Sequence, residues 1–120
     1  MARIMIVDDS RMIRKTIRLY LEGGGHEIVA EASDGEEAVK NYKISKPEIV
    51  TMDISMPEMS GLEALREIMK IDPNAKVIMI SSLNQKELVF NAISLGAVSY
   101  ILKPMTKEKT LETVDMALKK

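Results

Sequence analysis

A short apolar run in the middle of the chain stops at an acidic residue and is followed by a proline, in the stretch Thr51-Met52-Asp53-Ile54-Ser55-Met56-Pro57. A buried strand that ends in a loop has this pattern, with the carboxylate at the carboxyl end of the strand. A single aspartate in such a place is most often only a turn or capping residue. Other apolar runs also end in polar residues: Val7-Asp8-Asp9, Ile80-Ser81-Ser82 and Leu102-Lys103-Pro104. We therefore expect several strands to present polar groups at the same edge of one sheet.

Length and composition restrict the classes of protein to which the chain can belong. Its 120 residues suffice for one domain, residues 1–120, and leave no room for a second. Since 17 Lys and Arg stand against 18 Asp and Glu, charge gives no general reason to bind nucleic acid or an anionic membrane. The absence of cysteine excludes disulfides and Cys-ligated zinc, and the single His26 cannot build a histidine metal cluster or a Ser-His-Asp triad. We interpret His26 as a polar residue of the adjoining glycine turn.

We expect no membrane or export signal at the amino terminus. Its first apolar run has only four residues before two acids, which is too short for a signal peptide or a membrane span. We expect a soluble, monomeric protein of the cytoplasm.

Apolar runs of strand length alternate with segments of helical periodicity along the chain. The runs cover residues 4–7, 28–30, 49–52, 77–80 and 100–102, and each suits a strand covered on both faces. The segments between and after them space apolar residues as amphipathic helices do, and several begin with capping residues: Asp34, Ser60, Asn84 and Thr106. The alternation predicts an α/β protein, a doubly wound (βα)5 sheet of five parallel strands, for which the common order is 2-1-3-4-5. An eight-fold barrel would need a longer chain.

The predicted strand order brings distant acids together. Asp8 and Asp9 follow strand 1 and Asp53 ends strand 3, so all three reach the crevice where the direction of the sheet's growth reverses, flanked by Ser81 and Lys103. Three converging carboxylates stay ionised only if a cation compensates them, and oxygen ligands without His or Cys select a hard ion such as Mg²⁺. A carboxylate beside Mg²⁺ and a lysine is able to receive a phosphoryl group, with Asp53 as the nucleophile. The alternative is that the acids are only helix caps and the lysine a solvated charge.

The polar strand ends and their flanking residues resemble those of a known family, the receiver domains of two-component response regulators, and the resemblance covers the whole chain. It is carried by Val7-Asp8-Asp9-Ser10, Met52-Asp53-Ile54-Ser55-Met56-Pro57-Glu58-Met59-Ser60-Gly61, Ile80-Ser81-Ser82 and Tyr100-Ile101-Leu102-Lys103-Pro104. It implies the flavodoxin-like fold; chemotaxis receivers are among the proteins known to have the 2-1-3-4-5 order. Because no DNA-binding or enzymatic segment follows Lys120, the stand-alone chemotaxis type is the best match. A phosphorelay intermediate and the receiver part of a longer regulator remain alternatives.

The resemblance also assigns the phosphorylation chemistry. It implies that a sensor histidine kinase phosphorylates Asp53 and that Asp9, Asp53 and the backbone carbonyl of Ser55 bind Mg²⁺. Asp8 would support the metal through water. The chain would then be no enzyme beyond catalysing its own aspartyl phosphorylation and dephosphorylation. Ser55 and Leu83, each two residues beyond a core position, would modulate the lifetime of the aspartyl phosphate.

A second group of residues is implied to transmit the signal. Ser81 would be the switch hydroxyl, Lys103 the cationic partner of the phosphoryl group with a cis bond to Pro104, and Tyr100 the switch aromatic. Helix 4 spreads its apolar residues more widely than one core stripe needs. The resemblance therefore places a downstream protein partner on helix 4, strand 5 and helix 5, including Val89 and Tyr100. A phosphatase is a further possible partner.

The first helix carries a set of basic residues on its polar side: Arg11, Arg14, Lys15 and Arg18. We expect them to form a solvated face, on the helix that in receivers also meets the phosphodonor.

Two other functions use related residues. A phosphohydrolase of the haloacid dehalogenase type also has a strand-end aspartate, Mg²⁺ and a lysine, but its acids are spaced Asp-x-Asp and it usually carries a cap domain. A flavodoxin-like mononucleotide binder needs a Ser/Thr/Gly-rich phosphate loop after strand 1, where this chain has Asp8-Asp9.

Overall fold

Five strands and five helices alternate along the chain. The computed structural model describes the backbone of all 120 residues and the side chains of residues 1–82 and 84–120. The elements are β1 Arg3–Val7, α1 Arg11–Gly23, β2 Glu27–Ala32, α2 Gly35–Ser45, β3 Ile49–Asp53, α3 Gly61–Ile71, β4 Val77–Ser81, a short 3-10 helix Leu83–Gln85, α4 Lys86–Ser94, β5 Ser99–Leu102 and α5 Lys107–Leu118.

The strands form one parallel sheet in the order β2-β1-β3-β4-β5, which confirms the predicted fold class and strand order. All five strands are longer than the apolar runs that predicted them, by one to three residues. The largest difference is in β2, where Glu27, Glu31 and Ala32 flank the apolar part. This edge strand is paired only with β1, so most of its residues are half-buried and it tolerates polar side chains that a central strand excludes.

Helices cover both faces of the sheet because side chains alternate along each strand. In β1, Met5 belongs to the cluster packed under α2, α3 and α4, whereas Ile4 belongs to the cluster packed under α1 and α5. Strand β3 is buried along its whole length. The covered faces leave the ends of the strands as the place where polar side chains gather.

Capping side chains begin four of the five helices. Ser10, Asp34, Ser60 and Thr106 each accept a hydrogen bond from a backbone N–H of the first turn, and Ser60 forms a full capping box with Glu63. The prediction that Asn84 caps the fourth helix is wrong. A 3-10 turn precedes α4, and Asn84 instead accepts a hydrogen bond from the hydroxyl of Ser82.

His26 is more than a polar turn residue, which corrects our interpretation. It is buried, and its Nδ1 atom accepts a hydrogen bond from the backbone N–H of Ala2 at 3.0 Å. Its Nε2 atom lies 3.8 Å from Asp115 on α5. His26 therefore joins the start of β1 to the last helix.

Candidate functional site

The carboxyl ends of four strands form one polar crevice. Asp53 is the last residue of β3 and pairs in register with Ile80, next to Ser81 at the end of β4. The backbone N–H of Lys103 donates to the carbonyl of Ser81 at 2.7 Å, which holds the end of β5 beside the end of β4. Asp8 follows β1 on the other side of β3. The strand order thus brings together the residues that the sequence predicted.

Three carboxylates converge in this crevice. Oxygen atoms of Asp8, Asp9 and Asp53 all lie within 4.8 Å of one another. Asp8 and Asp53 are buried, whereas Asp9 is exposed. The Oδ2 atom of Asp8 has no hydrogen-bond partner among the described residues. A buried carboxylate oxygen without a partner is costly, so this acidic cluster fits a cation bound through oxygen atoms.

Burial and crowding change the acidity of the two buried acids. Burial raises the pKa of Asp53 to about 6, and the charge of Asp8 adds to this effect. The ammonium of Lys103 and the N–H of Ser55 act in the opposite direction without outweighing burial. Burial also raises the pKa of Asp8 above its ordinary value. A cation in the crevice would favour the ionised form of both groups.

Lys103 is the cation that the protein itself supplies. Its Nζ atom lies 3.5 Å from Oδ1 of Asp53, and its side chain is partly exposed. One ammonium beside three carboxylates leaves the crevice with a net negative charge. This net charge fits the binding of a further cation, which the sequence predicted.

The turn after β1 is held by side chains from two other elements. The backbone N–H of Ser10 donates to Oδ1 of Asp8 at 2.8 Å, and Nη1 of Arg14 donates to the Asp8 carbonyl at 2.6 Å. Glu31 on β2 accepts from Nε of Arg14 at 3.1 Å and from Arg18. The expectation of a solvated basic face is wrong for Arg14, whose side chain is only 17% exposed.

The connection from β3 to α3 fits closely around the phosphoacceptor candidate. The N–H of Ser55 donates to Oδ1 of Asp53 at 3.3 Å. A Cβ atom at Gly61 would collide with the backbone carbonyl of Asp53, so the first residue of α3 has to be glycine for this approach. The side chain of Leu83, for which the resemblance implies an effect on phosphate lifetime, lies outside the described residues.

The hydroxyl of Ser81 makes no hydrogen bond that would stabilise the fold among the described residues. It is completely buried, and its Oγ atom has no hydrogen-bond partner among the described residues. An unpaired hydroxyl of this kind is unfavourable in a core. Its position at the end of β4, beside Asp53, makes it available to a group bound at that aspartate.

A second feature lies on the outer side of α4 and β5. A groove of about 310 Å³ is lined by Ser82, Lys86, Val89, Phe90, Ile93, Tyr100 and Leu102. Phe90 is 73% exposed and Tyr100 is 45% exposed, whereas Ala92 is buried in the core. The wide apolar surface predicted for helix 4 is therefore divided between the core and this groove.

Among the described residues, none of the helices combines the length and apolarity that a membrane crossing requires.

Comparison with known proteins agrees with the fold. The chain is 45% identical over 117 residues to the chemotaxis protein CheY of Thermotoga maritima, with 98% of each chain covered. It is 48% identical over 119 residues to CheY of Listeria monocytogenes, covering 99% of this chain and all of the relative. A chain of the CheX-CheY-BeF3-Mg²⁺ complex from Borrelia burgdorferi superposes with a TM-score of 0.91 at 41% identity, covering 95% of this chain and 87% of that chain. The family model for the response regulator receiver domain matches residues 4–115, and the chain belongs to this family.

Proposed function

We propose that residues 1–120 form one receiver domain that acts as a phosphorylation-activated switch in chemotaxis or motility control. Asp53 accepts a phosphoryl group from a sensor histidine kinase, and the phosphorylated protein changes its affinity for a downstream protein. Membership of the receiver family and the likeness to proteins named CheY support this role. The domain is a signalling module and not an enzyme with a separate substrate.

One observation carries the proposal. Asp53 is only 4% exposed, yet its carboxylate lies at the mouth of the crevice beside Lys103 and two further acids. A carboxylate held only for structure would not be crowded by Asp8 and Asp9. The arrangement suits an acid that becomes phosphorylated and a cation that neutralises the acyl phosphate product.

The acidic cluster fits Mg²⁺. Asp9, Asp53 and the backbone carbonyl of Ser55 would hold it, with Asp8 supporting the metal through water. The unpaired Oδ2 atom of Asp8 and the oxygen-only donor set favour a hard cation. When bound, Mg²⁺ supplies positive charge to the phosphoryl oxygens.

The remaining chemistry belongs to residues of the chain. An ionised oxygen of Asp53 attacks phosphorus, the P–N bond to the kinase histidine breaks, and the leaving imidazole nitrogen keeps the bonding electron pair and takes up a proton. Lys103 then pairs with the new phosphoryl oxygens, which carry a charge of about −1.5 to −2. Hydrolysis of the acyl phosphate later restores the carboxylate.

The signal would leave the site through Ser81. We propose that its unpaired hydroxyl turns to donate a hydrogen bond to the phosphoryl group, and that Tyr100 moves inward into the space that opens. Tyr100 and Val89 line the groove on α4 and β5, so this movement reshapes the surface for the downstream partner. A phosphatase that approaches the crevice would reset the switch.

The test is incubation with Mg²⁺ and acetyl phosphate, followed by intact mass measurement. A receiver gains one hydroxylamine-labile phosphoryl group per chain, and Asp53→Asn gains none. Repeated turnover of a phosphate ester would indicate a hydrolase instead. Equal labelling of the parent and Asp53→Asn would remove Asp53 as the acceptor.

A further inference from the structure

Gln85 bridges the two connections that border the phosphoacceptor crevice. Its Oε1 atom accepts a hydrogen bond from the backbone N–H of Ser82 at 2.8 Å. Its Nε2 atom donates to Oγ of Ser55, 30 residues earlier in the chain, at 2.5 Å. The orientation of the amide follows from these partners, because a backbone N–H can only donate and so has to face the amide oxygen.

The bridge joins two connections that follow neighbouring strands of the sheet, β3 and β4. Ser55 lies in the β3–α3 connection, and its own N–H donates to the Asp53 carboxylate. Ser82 directly follows Ser81, and Gln85 immediately precedes the first residue of α4. One side chain thus connects the surroundings of Asp53 to the end of β4 and the start of α4.

This contact opposes movement of the β4–α4 connection. The Ser81 hydroxyl is completely buried and has no partner among the described residues. In the proposed function it turns toward a phosphoryl group on Asp53, and any accompanying shift of the chain displaces Ser82, whose N–H is held by Gln85. The hydrogen bonds of Gln85 hold the two connections in the unphosphorylated arrangement, and a second arrangement that displaces Ser82 has to break or exchange them.

We propose that Gln85 is a positioning residue that clasps the β3–α3 and β4–α4 connections together and sets how readily Asp53 accepts a phosphoryl group. This inference rests on the proposed function. Release of the clasp frees Ser82 and the start of α4 to adopt their second arrangement. The clasp thereby restrains the switch in the unphosphorylated arrangement.

The principal test compares Gln85→Ala with the parent protein in Mg²⁺ and acetyl phosphate. We expect the initial rate of Asp53 phosphorylation to rise about three- to tenfold, as the loss of one or two ordinary hydrogen bonds predicts. We also expect backbone chemical shifts of residues 86–102 in unphosphorylated Gln85→Ala to move toward those of the phosphorylated parent. A change in packing alone would not move these shifts in that direction.

A double-mutant cycle tests the contact itself. Ser55→Ala removes the other end of the clasp, so it should raise the rate as Gln85→Ala does, and the double variant should show little further increase. It also provides a second route if Gln85→Ala does not fold. Asn84→Ala is the matched control, because Asn84 contacts the Ser82 hydroxyl and not its N–H, and the rate should stay at the parent value.

Three results would overturn the proposal that Gln85 restrains the switch. These are an unchanged phosphorylation rate in Gln85→Ala, independent and additive effects of the two single substitutions, or an effect confined to the rate of aspartyl phosphate loss. Failure of the proposed function is recognised separately. Labelling that persists when Asp53→Asn is combined with Gln85→Ala would show a different acceptor, whereas labelling that depends on Asp53 leaves the function intact whatever Gln85 does.

Discussion

The Nζ atom of Lys103 lies 3.5 Å from Oδ1 of Asp53, although the two residues are 50 positions apart in the sequence. Strands β3 and β5 do not pair with each other; both pair with β4, and the long lysine side chain spans the distance across the end of that strand. The positive charge beside Asp53 therefore depends on the side-by-side pairing of three parallel strands in the correct register.

Removal of that charge should change the acidity of Asp53. In Lys103→Met we expect the pKa of Asp53 to rise above its parent value of about 6, because Lys103 is the group that lowers it most. Carboxyl ¹³C chemical shifts across a pH titration measure the change. Lys103→Arg keeps the charge and serves as the control, and an equal pKa in both variants would show that the ion pair does not form.

The contribution of Asp53 to the stability of the metal-free protein should fall as the pH rises. The pKa of Asp53 is raised by burial from 3.8 to about 6, so the folded state binds the proton more tightly than the unfolded state. The resulting stabilisation is complete below about pH 4 and is lost as the pH passes about 6, by up to about 3 kcal/mol for this one group. Urea unfolding at a series of pH values measures it. Asp53→Asn should lose most of this pH dependence, and parallel curves for the two proteins would contradict the assignment.

Asp9→Ala should weaken Mg²⁺ binding by about tenfold or more, because it removes one anionic oxygen ligand from the cluster. The chain has no tryptophan, so calorimetric titration is a suitable measurement. Glu112→Ala on α5 removes an equal charge from an exposed position and controls for net charge. Equal affinity in the parent and Asp9→Ala would exclude Asp9 as a ligand.

Ser81→Ala should still accept a phosphoryl group but lose most of the response to it. One charge-assisted hydrogen bond predicts a shift of about ten- to a hundred-fold between the two arrangements, and alanine cannot make it. Chemical shifts of residues 84–104, with and without phosphorylation, measure the response. Ser81→Thr retains the hydroxyl as the control. A full response in Ser81→Ala would leave the phosphorylation site without this coupling.

Glu31→Gln should lower the free energy of unfolding by about 1 kcal/mol at neutral pH, since it weakens two arginine contacts of a partly exposed group. Burial alone would raise the pKa of Glu31, but hydrogen bonds from Arg18 and Arg14 outweigh it and keep the pKa below its ordinary value. The stabilisation is therefore present above about pH 4.5 and is lost on acidification. Denaturant unfolding at neutral and acidic pH measures the effect.

Glu22→Gln breaks only the contact with Arg18 and should cost less at neutral pH. Equal losses in the two variants would contradict a special role for Glu31. In addition, Glu31→Gln should weaken Mg²⁺ binding, because Arg14 holds the Asp8 carbonyl in place.

The residues at the strand ends were predictable because local chemistry specifies them. A parallel strand that is covered on both faces has to be an apolar run, so Asp53, Ser81 and Lys103 stand out as the first polar residues after such runs. The rules for connecting parallel strands then place them at one edge. For the same reason β2, a half-buried edge strand, was predicted too short.

The supporting contacts depend on the tertiary structure. Arg14 and Glu31 are 17 residues apart on different elements, and Gln85 and Ser55 are 30 residues apart. A contact between two long polar side chains requires no fixed spacing in the sequence. From the sequence alone, each of these side chains could equally have been solvated. They meet because packing of the apolar faces first fixes where the helices and connections lie. Only then do these polar side chains come within hydrogen-bonding distance of one another.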